Sequence, residues 1–130
     1  MKLFHAGDHP PQPADSKTFT GTASVVRMDG VNERPAVNVY RVEFQPTART
    51  AWHSHSGSQL LLVIEGRCRL QRHGEPIQEI ASGGAARIES GECHWHGATP
   101  DAPMVHLAVN IDSTTEWFEE VTDDQYAGHP

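Results

Sequence analysis

The chain has little lysine, with only Lys2 and Lys17, and its ten basic residues face seventeen acidic ones for a net charge of −7. Such a surface repels phosphate backbones, so nucleic acid is not an expected partner. Long apolar runs are also missing. The longest, Leu60 to Ile64, is far shorter than the ~20 residues a membrane span needs, so no membrane contact is expected. The N-terminus lacks the charged, apolar and small-residue layout of a signal peptide, which points to the cytoplasm. Cysteine is scarce: Cys68 and Cys93 make no disulfide framework and are expected as buried thiols. With 130 residues the chain can bury one core but not two.

Eleven glycines and nine prolines are more than a helical bundle tolerates and suit a chain of strands and turns. Residues 1–17, with Pro10, Pro11 and Pro13, read as an arm with no helix of its own. Alternation and β-branched content predict strands over 22–28, 37–44, 51–55, 59–65, 67–72, 77–80, 85–88, 93–96 and 104–110. Tyr40, Val42 and Phe44 share one face of their strand, as do Met104, His106, Ala108 and Asn110 of theirs. The apolar run in 59–65 reads as a strand buried on both faces. Only the tail is expected to be helical: Thr122 to Gln125 matches a capping box, and Trp117 and Val121 stand four apart. The pattern predicts an all-β sandwich or small barrel over 18–112, with the arm at 1–17 and a helical tail at 113–130. A barrel of this size is filled by side chains or holds one small ligand.

Histidine is in excess, with nine residues, four of them in two H-x-H motifs: His53 with His55, and His94 with His96. In a strand, residues i and i+2 project from the same face. Clustering imidazoles inward is costly unless something uses their lone pairs, and a divalent metal does. Gln59, four residues after His55, adds a carbonyl oxygen. Three imidazoles and one oxygen make a four-ligand site with positions open for substrate. His5, His9, His73 and His129 lie in the arm, a turn and the terminus and read as solvated. Trp52, Trp95 and Cys93 have the opposite parity to the ligands and read as packing. Tyr40, Val42, Phe44, Met104, Ala108 and Asn110 share the parity of pocket walls and are expected to set substrate size.

The spacing resembles the signature of small bacterial cupins, G-x5-H-x-H-x3,4-E-x6-G followed by G-x5-P-x-G-x2-H-x3-N. TARTAWHSHSGSQLLLVIEG sets Thr47, His53, His55, Gln59 and Gly66 at the positions of the first motif. GGAARIESGECHWHGA sets Gly83, Glu89, Gly91, His94 and Ala98 at those of the second. Thr47, Glu89 and Ala98 depart from the pattern, and Gln59 stands where it has glutamate. The H-S-H-x3-Q version, with Thr50 before it and H-W-H-G in the second motif, is similar to the small cupin hydroxynitrile lyases. So are F-x-P-x-A-R-T-A-W-H at 44–53 and V-T-D-x-Q-Y at 121–126.

The resemblance implies a jelly-roll (double-stranded β-helix) barrel with a short C-terminal helix. It also implies one divalent metal per chain, manganese foremost, with iron, zinc, nickel or cobalt as alternatives. His53, His55, Gln59 and His94 are its ligands by this resemblance, His96 the acid/base, and Thr50 and His106 further catalytic or pocket residues. The implied reaction is reversible cleavage of an R-cyanohydrin to an aldehyde and hydrogen cyanide, in a homodimer or higher homo-oligomer acting on small molecules. Two other functions share the scaffold. One is a metal-dependent dioxygenase of a small aromatic or carbonyl compound, against which the uncharged Gln59 counts. The other is a non-catalytic metal- or small-ligand-binding cupin, against which His96 and His106 count.

Overall fold

Turn residues interrupt the chain at short intervals, and between them the backbone is extended. The computed structural model describes residues 1–129. After a 3-10 turn at Ala6–Asp8 come β1 (Gln12–Pro13), β2 (Phe19–Thr20), β3 (Ala23–Glu33), β4 (Ala36–Phe44), β5 (Arg49–Thr50), β6 (His53–His55) and β7 (Ser58–Glu65). They are followed by β8 (Arg67–Arg72), β9 (Gln78–Ala81), β10 (Ala85–Ile88), β11 (His94–Ala98), β12 (Met104–Ile111), β13 (Thr115–Trp117) and the helix α1 (Asp123–Ala127). The strands form two antiparallel sheets. One has six strands in the order β1-β3-β4-β12-β7-β10; the other has seven, running β13-β6-β11-β5-β2, with β8 attached to β11 and β9 to β8. This is an all-β jelly roll.

The inner faces pack at one end of the barrel around Val25, Val42, Phe44, Val63, Cys68 and Met104. Each large apolar side chain taken fully out of water there contributes ~1.5–3 kcal/mol. A second cluster, Trp52, Trp95, Val121 and Tyr126, seats the C-terminal segment on the outside of the seven-stranded sheet. Strand β11 therefore lies between two layers and is buried throughout. It also crosses β5 closely: a Cβ at Gly97 would overlap the Ala48 carbonyl oxygen, so the second histidine motif is followed by a residue without one.

Two expectations, on β7 and on Trp117, are corrected, and the reading of the N-terminal arm is extended. Strand β7 is buried on one face only; Leu62 and Ile64 are 38% and 45% exposed, because no helical layer covers this antiparallel sheet. The N-terminal arm is held to the barrel. Besides its 3-10 turn, Gln12 and Pro13 pair with Val25 and Ser24 and cover the edge of β3. Trp117 does not share a helix with Val121. It lies on β13, opposite His53, because the open edge of β6 takes up residues 115–117 before the helix begins. The helix itself starts at the expected capping box: Thr122 accepts from the Gln125 N–H, and the Gln125 side chain accepts from the Thr122 N–H.

Two arginines fasten this tail. Arg49, 4% exposed, donates to the Val121 carbonyl through Nε (3.2 Å) and Nη2 (2.7 Å), and to the Thr47 carbonyl (3.2 Å). Arg69 donates twice to the Tyr126 carbonyl. Their guanidinium groups lie 4.8 and 5.1 Å from the centre of the Tyr126 ring, whose hydroxyl donates to the Ala98 carbonyl at 2.6 Å. We expect Arg49→Ala to cost ~2–4 kcal/mol, since it strips the buried Val121 carbonyl of both its side-chain donors. Urea unfolding should show this as a lower midpoint at unchanged slope. Asp123→Asn should leave the midpoint where it is, because that carboxylate, though 2.9 Å from Arg49, is 97% exposed.

Candidate metal centre and active site

Period-two projection and strand register build the site together. His53 and His55 are the inward, buried residues of β6, and His94 and His96 those of β11. His94 stands directly opposite His53 in the ladder, which brings their ring centres to 4.2 Å. Candidate ligand atoms of His53, His94 and His96 lie within 4.8 Å of one another. His55 adjoins this trio, its ring centre 5.0 Å from His53 and 5.3 Å from His94. The facing sheet supplies Gln59 from β7, with His106 and Asn110 from β12.

The imidazoles are oriented by their second nitrogens. Nδ1 of His53 donates to the Ala51 carbonyl and Nδ1 of His94 to the Glu92 carbonyl, both at 2.8 Å and both two residues back along the chain. A carbonyl only accepts, so the lone pair of each neutral ring sits on Nε2. His55 Nδ1 meets the Thr115 hydroxyl at 2.9 Å. Gln59 donates its amide to Asn110 Oδ1 at 2.8 Å, the residue opposite it in the β7–β12 ladder, and keeps its carbonyl oxygen free. The result is a concentration of buried polar atoms with no partner: Nε2 of His55, His94 and His96, Oε1 of Gln59, and Nδ1 of His106. Buried polar atoms without partners are costly, and a divalent cation satisfies several of the lone pairs at once. The donor set fits such an ion.

His96 is held differently. Its Nδ1 faces His106 Nε2 at 3.0 Å, so the two imidazoles form a pair, and the edge of Phe44 packs on both rings. Thr50 accepts the backbone N–H of His96 through its hydroxyl, at 3.2 Å.

Burial is the first cause of a lowered pKa at every histidine of the cluster. It pushes His94 and His106 down to about 4 and lowers His55. His53 and His96 lie well below the ordinary value, with neighbouring imidazoles adding to burial. His96 is therefore a neutral base near pH 7, not a group at its titration midpoint.

A cavity of about 250 Å³ opens on the cluster. Tyr40, Val42, Ala108 and Asn110 line it with Thr50, His53, His55, Gln59, His96 and His106. His94 belongs to the cluster but not to the cavity wall. Phe44 and Met104, expected on the wall, are fully buried in the closed end of the barrel, because the same inward parity leads past the cavity floor into the core. Also on the wall, and not singled out from the sequence, are Asp15, Phe19, Val25, Arg27, Thr115 and Trp117. Val25 and Arg27 carried a usable signal, the inward parity of a predicted strand. Thr115 and Trp117 carried none, since their strand forms only against β6. The Trp117 ring lies 4.6 Å from that of His53. A larger groove of about 650 Å³ runs under the C-terminal helix but contains none of the cluster.

The lowered pKa values set a direction for acid stability. An unfolded histidine takes up its proton near 6.5, whereas folded His94 and His106 resist protonation down to about 4. Below 6.5 the unfolded state binds more protons, so stability must fall as pH drops from 6.5 toward about 4 and is independent of these groups above that window. For each of the two the full effect is roughly 3 kcal/mol. We expect the urea midpoint of metal-free protein to decline through this range and His106→Gln to make the decline shallower; identical slopes would show that His106 takes no part.

Residues 40–110, more than half of the chain, match the family described as Cupin domain. The chain is 39% identical to the (R)-mandelonitrile lyase of Granulicella tundricola over 132 residues, covering 97% of this chain and 98% of that protein. Among solved structures it is similar to a cupin-like protein of Thermotoga maritima, with a TM-score of 0.84 and 33% identity over 99% of this chain and 98% of the other. The polyketide cyclase RemF of Streptomyces resistomycificus shares the fold, with a TM-score of 0.73 and 20% identity over 97% and 90% of the two chains. With the jelly roll and its inward histidines, these similarities establish that the chain belongs to the cupin family.

Proposed function

We propose that the protein is a metal-dependent lyase that cleaves, and in reverse forms, R-cyanohydrins. His53, His55, Gln59 and His94 would hold the ion, manganese in the first instance. The observation that carries the proposal is the contrast between His96 and its neighbours. His53 and His94 are anchored by carbonyl oxygens and His55 by a hydroxyl, whereas His96 is anchored by a second imidazole and keeps a buried, unpartnered Nε2 beside them. That is the arrangement of a group that moves a proton. The similarity to a mandelonitrile lyase supports the choice of reaction. We include assembly as a homodimer, for which the exposed Leu62 and Ile64 on β7 offer an apolar surface, and a cytoplasmic location.

When bound, the cation supplies Lewis acidity that stabilises negative charge on the cyanohydrin oxygen. His96 Nε2 accepts the hydroxyl proton. The carbon–nitrile bond breaks, its electron pair leaves with cyanide, and the oxygen's electrons close the aldehyde C=O. Cyanide takes the proton from His96 Nε2 and departs as hydrogen cyanide, which restores the neutral ring. Between the two transfers the imidazolium is stabilised by donation from Nδ1 to His106 Nε2, at the 3.0 Å seen between them. The Thr50 hydroxyl accepts from the His96 backbone and has its own hydrogen left for the substrate oxygen or the nitrile. Tyr40, Val42 and Ala108 bound the volume left for the aldehyde substituent.

The test separates metal from proton transfer. His96→Ala should keep one divalent ion per chain by elemental analysis and lose ~10²–10⁴-fold in benzaldehyde release from mandelonitrile. His94→Ala should lose both metal and turnover. Full turnover in His96→Ala would remove the proposed base, and absence of any cyanohydrin turnover in metal-loaded wild type would remove the reaction.

A further inference from the structure

We propose that Arg27 reads a carboxylate at the mouth of the cavity, so that ligands carrying one, best an aryl carboxylate, bind more tightly than their neutral isosteres; this rests on the proposed function only in taking the cavity as the substrate site.

Strand β3 enters the barrel with Ala23 and Val25 inward and buried. Arg27 follows at the same parity and stands on the cavity wall. The ladder sets it opposite Tyr40, which is opposite Ala108, so all three form one inner-face row. The next row, Val25, Val42 and His106, is two residues or ~7 Å further along. A guanidinium is thereby placed at the mouth of a cavity whose floor holds the unpartnered acceptors.

Arg27 is exposed at the rim of the cavity and joins none of the ion pairs found among the described residues. Its guanidinium lies 5.4 Å from the centre of the Tyr40 ring, which is itself tethered through its hydroxyl to Asp29 at 3.1 Å. Stacking engages the flat face of a guanidinium and leaves the N–H fork along its edge available. That fork matches the two oxygens of a carboxylate. The cavity's own carboxylate, Asp15, accepts the Lys17 N–H through Oδ1 at 2.9 Å and forms no ion pair with Arg27. The volume of about 250 Å³ and the rings of Phe19 and Trp117 on the wall suit a single aromatic ring as the body of the ligand.

Calorimetric titration with benzoate and with benzamide, which has nearly the same shape and no charge, tests this in both metal-free and manganese-loaded protein. Wild type should bind benzoate about fivefold more tightly than benzamide in both forms, as a partly exposed charge pair allows. Arg27→Gln should abolish the preference, and Arg27→Lys should keep part of it. Equal affinities in wild type would overturn the proposal. A preference that appears only with manganese and survives Arg27→Gln would also overturn it, by placing the carboxylate on the ion. Calorimetry needs no turnover, so a protein inactive on mandelonitrile that still shows the Arg27-dependent preference overturns the lyase reading and upholds this one.

Discussion

Five buried nitrogen and oxygen atoms without partners, drawn to one place from both sheets, are the constraint around which this barrel is organised. Left empty, each is a desolvated polar group, and such a group costs on the order of 1–3 kcal/mol. A fold carries that cost only where the surrounding structure fixes the groups too firmly for them to turn away. Here the fixing is visible. Two imidazoles are locked by carbonyls two residues earlier in the chain, just before their strands begin, a third meets a hydroxyl on a neighbouring strand, and Gln59 is turned by Asn110. The same ties that forbid relief prepare the lone pairs for an ion.

The two sheets divide the work. The seven-stranded sheet carries the four histidines of the H-x-H motifs, and its outer face is sealed by Trp95, Val121 and Tyr126 under the arginine clamp. The six-stranded sheet carries Gln59, Asn110 and His106 and leaves its outer face open at Leu62 and Ile64. Rigidity thus lies behind the histidines, where a small displacement would misplace lone pairs, and the cavity opens toward β3, β13 and Asp15.

The sequence made the strands legible because period-two parity is local. His53 with His55, His94 with His96, and the row Tyr40, Val42, Phe44 could all be placed on inward faces before any pairing was known. Parity does not say how far along the barrel a residue lies, which is why Phe44 and Met104 were expected on the cavity wall and are found beneath it. Nor does it say what covers the other face, so the run through Leu62 and Ile64 read as doubly buried. Thr115, Trp117 and the pairing of Gln59 with Asn110 depend on contacts across more than fifty positions, and no window on the chain contains them.

Glutamine in place of the glutamate of the cupin pattern has a consequence for folding as well as for chemistry. A buried carboxylate among neutral imidazoles would be an uncompensated charge before metal arrived, costing several kcal/mol or taking up a proton. An amide avoids that cost but brings two N–H groups that also need acceptors. Asn110 answers one of them from the adjacent strand, and in doing so decides which end of Gln59 faces the histidines. The pair therefore acts as a unit: Gln59 without Asn110 would be free to present its N–H groups, which repel a cation. The proposed donor set of three imidazoles and one amide oxygen would carry no charge of its own, and an ion held by it would keep its full positive charge for an oxygen of the substrate. For the reaction proposed above, that is what stabilising a developing alkoxide would call for.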